Sequence, residues 1–275
     1  MLDSITIKKI EDFVCQKPRS VQELAVHLGK NWRTVDRYIE EIEKNFGTIS
    51  TRVFRGGTRG ALKIVYWSSM EKLSSSIFQE KLEEDILKAR RKDDFSAFDI
   101  FQYVDDKKKK VTIEHIEGDN IEGLKKKLLT AKKQLLIFSG NLSFINLKNK
   151  KVDTLDVFEE LVKNGISIKI ICRVDLDGME NIKKLLSLNF KHGKDLVEIR
   201  HTEQPLRTII YDEELATLKE VKEPTGKINE LNKKVFIYYA IKDKEWIKWL
   251  KRIFWKMFNN SISAKKRLEE LEKLK

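Results

Sequence analysis

The sequence predicts an α+β / α/β chain: three short helices and a β-hairpin, a connecting helix, then a mixed sheet flanked by helices. Three observations carry that prediction. Apolar residues recur at helical spacing up to about residue 46, and two strand-like runs around a glycine-rich turn follow. From Val111 onward, strand-length apolar runs alternate with amphipathic helices, the pattern of a sheet covered on both faces. A length of 275 residues with 41% hydrophobic content is enough for two cores and excludes wholesale disorder.

Taken in order, Ser4–Cys15 carries Ile5, Ile10, Phe13 and Val14 at helical spacing. Ser20 and Glu23 have the spacing of a capping box and open a second helix that ends at Gly29. A third begins near Asn31, with Val35, Ile39, Ile42 and Phe46 on one stripe and Arg33, Thr34, Arg37 and Glu41 opposite. Ile49–Arg55 and Ala61–Trp67 read as a hairpin joined by Gly56, Gly57, Thr58, Arg59 and Gly60. Ser68–Lys92 reads as a polar connecting helix, and Phe95, Phe98, Phe101 and Tyr103 as an aromatic cluster that something must cover. Asp105–Lys110 reads as a charged loop. Strands are expected at 111–116, 134–139, 167–172, 196–200, 207–211, 215–218 and 235–241, and helices at 121–131, 155–164, 178–188 and 244–259. The expected units are 1–67, the connecting segment 68–110, 111–260, and a charged helical tail 261–275.

The net charge is +12, distributed as +4 over residues 1–67, −3 over 68–120 and +11 over the remainder. A basic surplus favours polyanionic partners through counterion release. Cys15 and Cys172 lie far apart without metal-ligand neighbours, so neither a disulfide framework nor a metal or cofactor site is expected. No signal peptide or membrane span is read, and a cytoplasmic location is expected.

The N-terminal pattern resembles a winged helix-turn-helix, carried by Ser20–Gly29 and Lys30–Ile39, with Ala25 where two helices cross and Gly29 where the chain turns. The resemblance implies that the start of the third helix enters the major groove of double-stranded DNA. Candidate DNA-binding residues are Lys30, Asn31, Arg33, Thr34 and Arg37, with Arg55 and Arg59 on the wing. Trp32 is assigned to the small core, and His27 to a helix surface without chemistry.

The second unit resembles phospholipase D-like domains over about residues 111–260. In the segment Pro205–Asp212, Arg207 and Asp212 hold the Lys and Asp positions of that family's motif, and Pro205 replaces its nucleophilic His. His201 lies four residues earlier, so the spacing does not let it take that place. A catalytically inactive domain is therefore expected, with Arg207 and Asp212 either a structural ion pair or remnants lining an effector pocket. The combination resembles the archaeal TrmB family of transcriptional regulators and implies a dimeric DNA-binding regulator. Trp246, Trp249, Ile253 and Trp255, on a helix apolar nearly all round, are the candidate dimer contact. Two other readings stand beside it: a phosphodiesterase or nuclease, and a non-enzymatic scaffold of a transcription or chromatin complex.

Overall fold

The computed structural model describes residues 2–46, 48–55, 61–67, 75–224 and 233–273. Helix α1 (Ser4–Gln16) is followed by a two-residue strand β1 (Arg19–Ser20), α2 (Val21–Leu28), α3 (Trp32–Asn45), β2 (Ile49–Arg55) and β3 (Ala61–Trp67). The strands form a three-stranded antiparallel sheet in the order β1-β3-β2. Local chemistry sets these boundaries. The Ser20 side chain accepts from the Glu23 N–H while Glu23 accepts from the Ser20 N–H, so two orphan donors at the start of α2 are satisfied. Gly29 stops the helix at φ 62°, where a Cβ would be strained. Ile10, Leu24, Ala25, Val35, Ile39, Ile42 and Val65 close the small core. Phe46 departs from its stripe: it follows the last turn of α3 and is 52% exposed. Removing the cap with Ser20→Ala is expected to cost about 1 kcal/mol, read as a lower midpoint in urea unfolding.

The second sheet has eight strands in the order β11-β7-β6-β5-β8-β9-β10-β4. These are β4 (Lys109–Glu114), β5 (Gln134–Phe138), β6 (Ser167–Cys172), β7 (Val197–His201), β8 (Thr208–Tyr211), β9 (Leu215–Lys222), β10 (Val235–Ile241) and β11 (Ile262–Ser263). The pairs β5–β6 and β6–β7 are parallel and the others antiparallel, giving the expected mixed sheet. One face is covered by α6 (Ile121–Leu128), α7 (Thr154–Lys163), α8 (Met179–His192) and α10 (Ala264–Glu272). The other is covered by α4 (Ser75–Lys88), α5 (Ala97–Phe101) and α9 (Lys244–Asn259).

The loop expected at 105–110 is corrected here, and the connecting helix and the tail gain packing partners. The segment before residue 92 is no free connector: the described helix α4 lies against α9, burying Leu82 and Ile86, with Glu83 paired to Arg252 at 2.9 Å and Lys256 at 3.0 Å. Residues 68–74 lie outside the described residues. The charged segment 105–110 is only partly a loop, because Lys109 and Lys110 already pair with β10. The tail is helical over Ala264–Glu272 and packs on the large sheet: Ile262 and Ser263 pair with β7, and Ala264, Leu268 and Leu271 are buried.

The aromatic cluster finds its cover in the N-terminal sheet. Phe54, Leu62 and Ile64 enter the same core as Phe98, Phe101 and Tyr239. The Phe98 ring lies 5.2 Å from Tyr66, 6.1 Å from Phe54 and 6.2 Å from Tyr239, centroid to centroid. The hairpin and the large sheet are therefore packed as one body through α5. Polar contacts edge this seam: Lys222 Nζ lies 3.3 Å from Glu23 and 3.1 Å from Glu220, and Lys17 donates to the Asp93 carbonyl. Burial opposes ionisation of Glu23, but the Lys222 ammonium and the Ser20 donors outweigh it and hold its pKa below the usual carboxylate range. A depressed folded-state pKa means this contribution is present above the unfolded value and is lost as pH falls. Acidification below about pH 4, the ordinary Glu range, is expected to loosen the seam. Hydrogen exchange of the α2 amides reads that loosening, and Glu23→Gln should remove its pH dependence.

Candidate nucleic-acid interface and the adjoining cleft

Helix α3 separates its charges by face. Val35, Ile39 and Ile42 are fully buried, while Lys30, Arg33 and Arg37 are exposed. Acids on the same helix are occupied elsewhere: Asp36 and Glu40 lie 2.7 and 3.3 Å from Lys63 of β3. Against the cost of burial, these two carboxylates hold the Lys63 pKa above its ordinary value. Arg33 and Arg37 make no ion pair among the described residues. Each instead lies beside its neighbouring ring, Arg33 at 5.6 Å from Trp32 and Arg37 at 5.8 Å from Tyr38. One helical turn apart, they present two uncompensated guanidinium groups at the start of the helix.

The other expected contacts divide. Asn31 is the N-cap, and its Oδ1 accepts from the Arg33 N–H at 2.9 Å, so that oxygen is committed to the helix. Thr34 is half-buried in the first turn. Arg55 ends β2, but its side chain, together with Arg59 and the turn 56–60, lies outside the described residues. Trp32 packs against the small core, and His27 stacks on Phe13 at 3.9 Å.

A cleft of about 890 Å³ opens over the ends of β5, β6 and β8. Arg90, Arg91, Lys92, Arg173 and Arg207 line it, with Thr208 and Ser139. Lys92 is the fixed point: its Nζ donates to the carbonyls of Leu206 at 2.6 Å, Gln204 at 2.8 Å and Ser139 at 3.3 Å. Gln204 is buried and bridges the Ser139 carbonyl, at 2.8 Å, to the Leu206 N–H, at 2.7 Å. The segment holding Pro205 is thus tied down by backbone contacts, and β8 begins only at Thr208. Burial, then the charges of Arg207 and Arg173, pull the Lys92 pKa well below its ordinary value. The sequence signal for these cations was the run Arg90-Arg91-Lys92, which closed the expected connecting helix Ser68–Lys92 without a role of its own.

Of the two readings left open for Arg207 and Asp212, the ion pair is corrected. Asp212 sits at φ 51° in the turn after β8 and accepts from the N–H groups of Lys132, Gln134 and Lys133 at 2.7, 2.8 and 3.0 Å. It closes a turn, while Arg207 lines the cleft. Asp212→Ala removes two acceptor oxygens and with them three hydrogen bonds, and should cost about 1–3 kcal/mol, read as a lower thermal midpoint. His201 ends β7, and its Nδ1 accepts from the Val174 N–H at 2.9 Å; burial and Arg267 lower its pKa.

The proposed dimer contact is also corrected. Trp246, Trp249 and Ile253 are 4%, 3% and 0% exposed and belong to the core of this chain. The apolar surplus of α9 is absorbed because the sheet covers one side and α4 and Tyr103 lie against the other. Tyr103 stacks on Trp246 at 6.4 Å, and Trp246 meets Trp249 edge-on at 5.3 Å. Trp255 is half-buried against Phe254 and Phe258.

No protein-family model and no curated protein matches the chain. Among solved structures it is similar to a phospholipase D family member, Nuc from Salmonella typhimurium, at 12% identity over 56% of this chain and 97% of that one (TM-score 0.40). It is similar to TrmBL2, an archaeal chromatin protein, at 17% identity over 95% of this chain and 94% of that one (TM-score 0.39). A third is NucT from Helicobacter pylori, at 14% identity over 56% and 99% (TM-score 0.39). Likenesses of this size decide neither family nor function, which rest on the side chains. No helix among the described residues is long and apolar enough to cross a membrane.

Proposed function

We propose that the protein is a DNA-binding regulator or architectural protein that docks the start of α3 in the major groove of duplex DNA. The observation that carries this reading is the pair Arg33 and Arg37, exposed and without a carboxylate partner among the described residues, on a helix whose acids Asp36 and Glu40 face Lys63 instead. Arginine in that position can read a guanine edge with two parallel hydrogen bonds, or hold a phosphate. Lys30 adds charge at the same end.

The large sheet acts in this reading as a non-catalytic support. Two features favour that over a phosphodiesterase. Pro205 offers no nucleophile, and the nearby His201 has its Nδ1 engaged by the backbone. Incubation with duplex DNA and no added metal is expected to leave the DNA uncut. The docking itself is tested by hydrogen exchange with and without a random-sequence duplex. Slowed exchange of the amides from Trp32 to Tyr38 supports the reading; unchanged exchange there with slowing elsewhere overturns it.

A further inference from the structure

The cleft holds a charge that the protein leaves without a partner. The Arg207 side chain is half-buried, and its guanidinium makes no hydrogen bond or ion pair among the described residues. Arg90 and Arg91, whose backbone N–H groups are held by Asp94, likewise make no ion pair with their side chains. Asp93, Glu117, Glu220 and Glu223 act on Arg207 only from beyond ion-pair distance, so its guanidinium keeps donors that a bound anion would take up. The buried Thr208 hydroxyl on the same wall has no partner either. The lining also includes the apolar side chains of Leu124, Phe144, Leu147 and Ile209.

Shape and charge select the kind of anion. A volume near 890 Å³ lies in the range of small-molecule sites. Carboxylates of Glu114, Glu117, Glu203 and Glu223 stand among the cations around the cleft, an arrangement that repels the continuous phosphate chain of DNA. It leaves room for one anionic head group. We infer that the cleft binds a small molecule carrying a single phosphomonoester or carboxylate on an apolar body, with Arg207 holding the head group.

The site also adjoins the seam to the N-terminal unit. Lys92, Asp93, Arg207, Lys219 and Glu223 line both this cleft and a smaller cavity that reaches Ser20 and Glu23 of the capping box. Occupancy of the cleft is therefore read by α2, and through it by the DNA-binding helix; this part rests on the DNA-binding reading above.

Phenyl phosphate and benzoate, which share one body and differ in head group, test the site by calorimetric titration of the full chain without DNA. Saturable binding of at least one is expected, and the stronger one names the head group. Arg207→Gln should weaken it tenfold or more. The exposed Arg90→Gln/Arg91→Gln pair, which leaves the core untouched, should weaken it severalfold. No saturable binding of either probe, or unchanged binding by both variants, overturns the site. So does displacement of the probe by a short duplex from a protein carrying Arg33→Ala and Arg37→Ala, since the cleft would then be a nucleic-acid groove. With the site established, saturating probe should shift DNA affinity severalfold, and an unchanged affinity overturns the coupling alone. A protein that binds no DNA at all removes the DNA reading, while the calorimetric titration still decides the site.

Discussion

Replacing Arg33 and Arg37 together with alanine is expected to lower affinity for duplex DNA by a hundredfold or more, with no loss of thermal stability. Both side chains are exposed and neither forms an ion pair among the described residues, so truncation takes nothing from the fold. A side chain that reads a base edge is worth about 1–3 kcal/mol, and two add when they act on separate bases. Either single variant should therefore lose roughly tenfold by the same rule. Lys63→Ala supplies a contrasting case. It frees Asp36 and Glu40 beside the arginines, and the released negative charge should weaken DNA binding although Lys63 need not touch DNA. Fluorescence anisotropy with a labelled duplex reads all four variants. Unaltered affinity in the double variant places the interface elsewhere.

Phe98→Ala is expected to produce the largest change in stability. Phe98 is 1% exposed and joins Phe54 and Tyr66 of the hairpin sheet to Phe101 and Tyr239 on the other side of the seam. Emptying such a position costs about 3–5 kcal/mol through lost burial and the cavity left behind. Its consequence should also be directional. With the bridge gone, hydrogen exchange in β2 and β3 should rise further than in β5 and β6, which are buried on both faces without help from the hairpin. Equal loss across both sheets would mean that the two open as one cooperative unit and that Phe98 is no directional bridge.

The elements that the sequence revealed are those whose signals are local. The capping box at Ser20 and Glu23, the glycine stop at Gly29 and the strand at 167–172 depend on nearby residues, and each falls where its pattern predicts. Helix α9 was equally clear as an element, yet its role was not. Trp246 and Trp249 looked surplus because their cover, α4 and Tyr103, comes from a segment of weak periodicity roughly 150 residues earlier. The two-residue strand β1 had no pattern to show, since Arg19 and Ser20 pair with β3 only through the backbone. The charged tail read as polar because Ala264, Leu268 and Leu271 form a narrow stripe amid lysine and glutamate.

The candidate sites follow the same division. Arg33 and Arg37 were visible from helical spacing alone. The role of Asp212 was not, because it depends on a turn that brings residues 132–134 within reach of its carboxylate. For Arg207 the sequence left an ion pair and a pocket lining equally open, because the choice depends on the preceding loop, which Lys92 holds by its carbonyls.

The central claim is that this chain binds duplex DNA through several phosphates and the start of α3. The most direct measurement is the affinity for a random duplex across a salt series, for the native protein and the Arg33→Ala/Arg37→Ala variant. A steep fall of log K with log salt is predicted, because each phosphate neutralised contributes a slope of about −0.9. Where the arginines meet phosphates, the variant's slope is shallower by about that amount for each phosphate it no longer holds; where they read bases, the slope holds and the affinity falls. Negligible binding at low salt, or a variant that matches the native protein in both slope and affinity, would contradict the account.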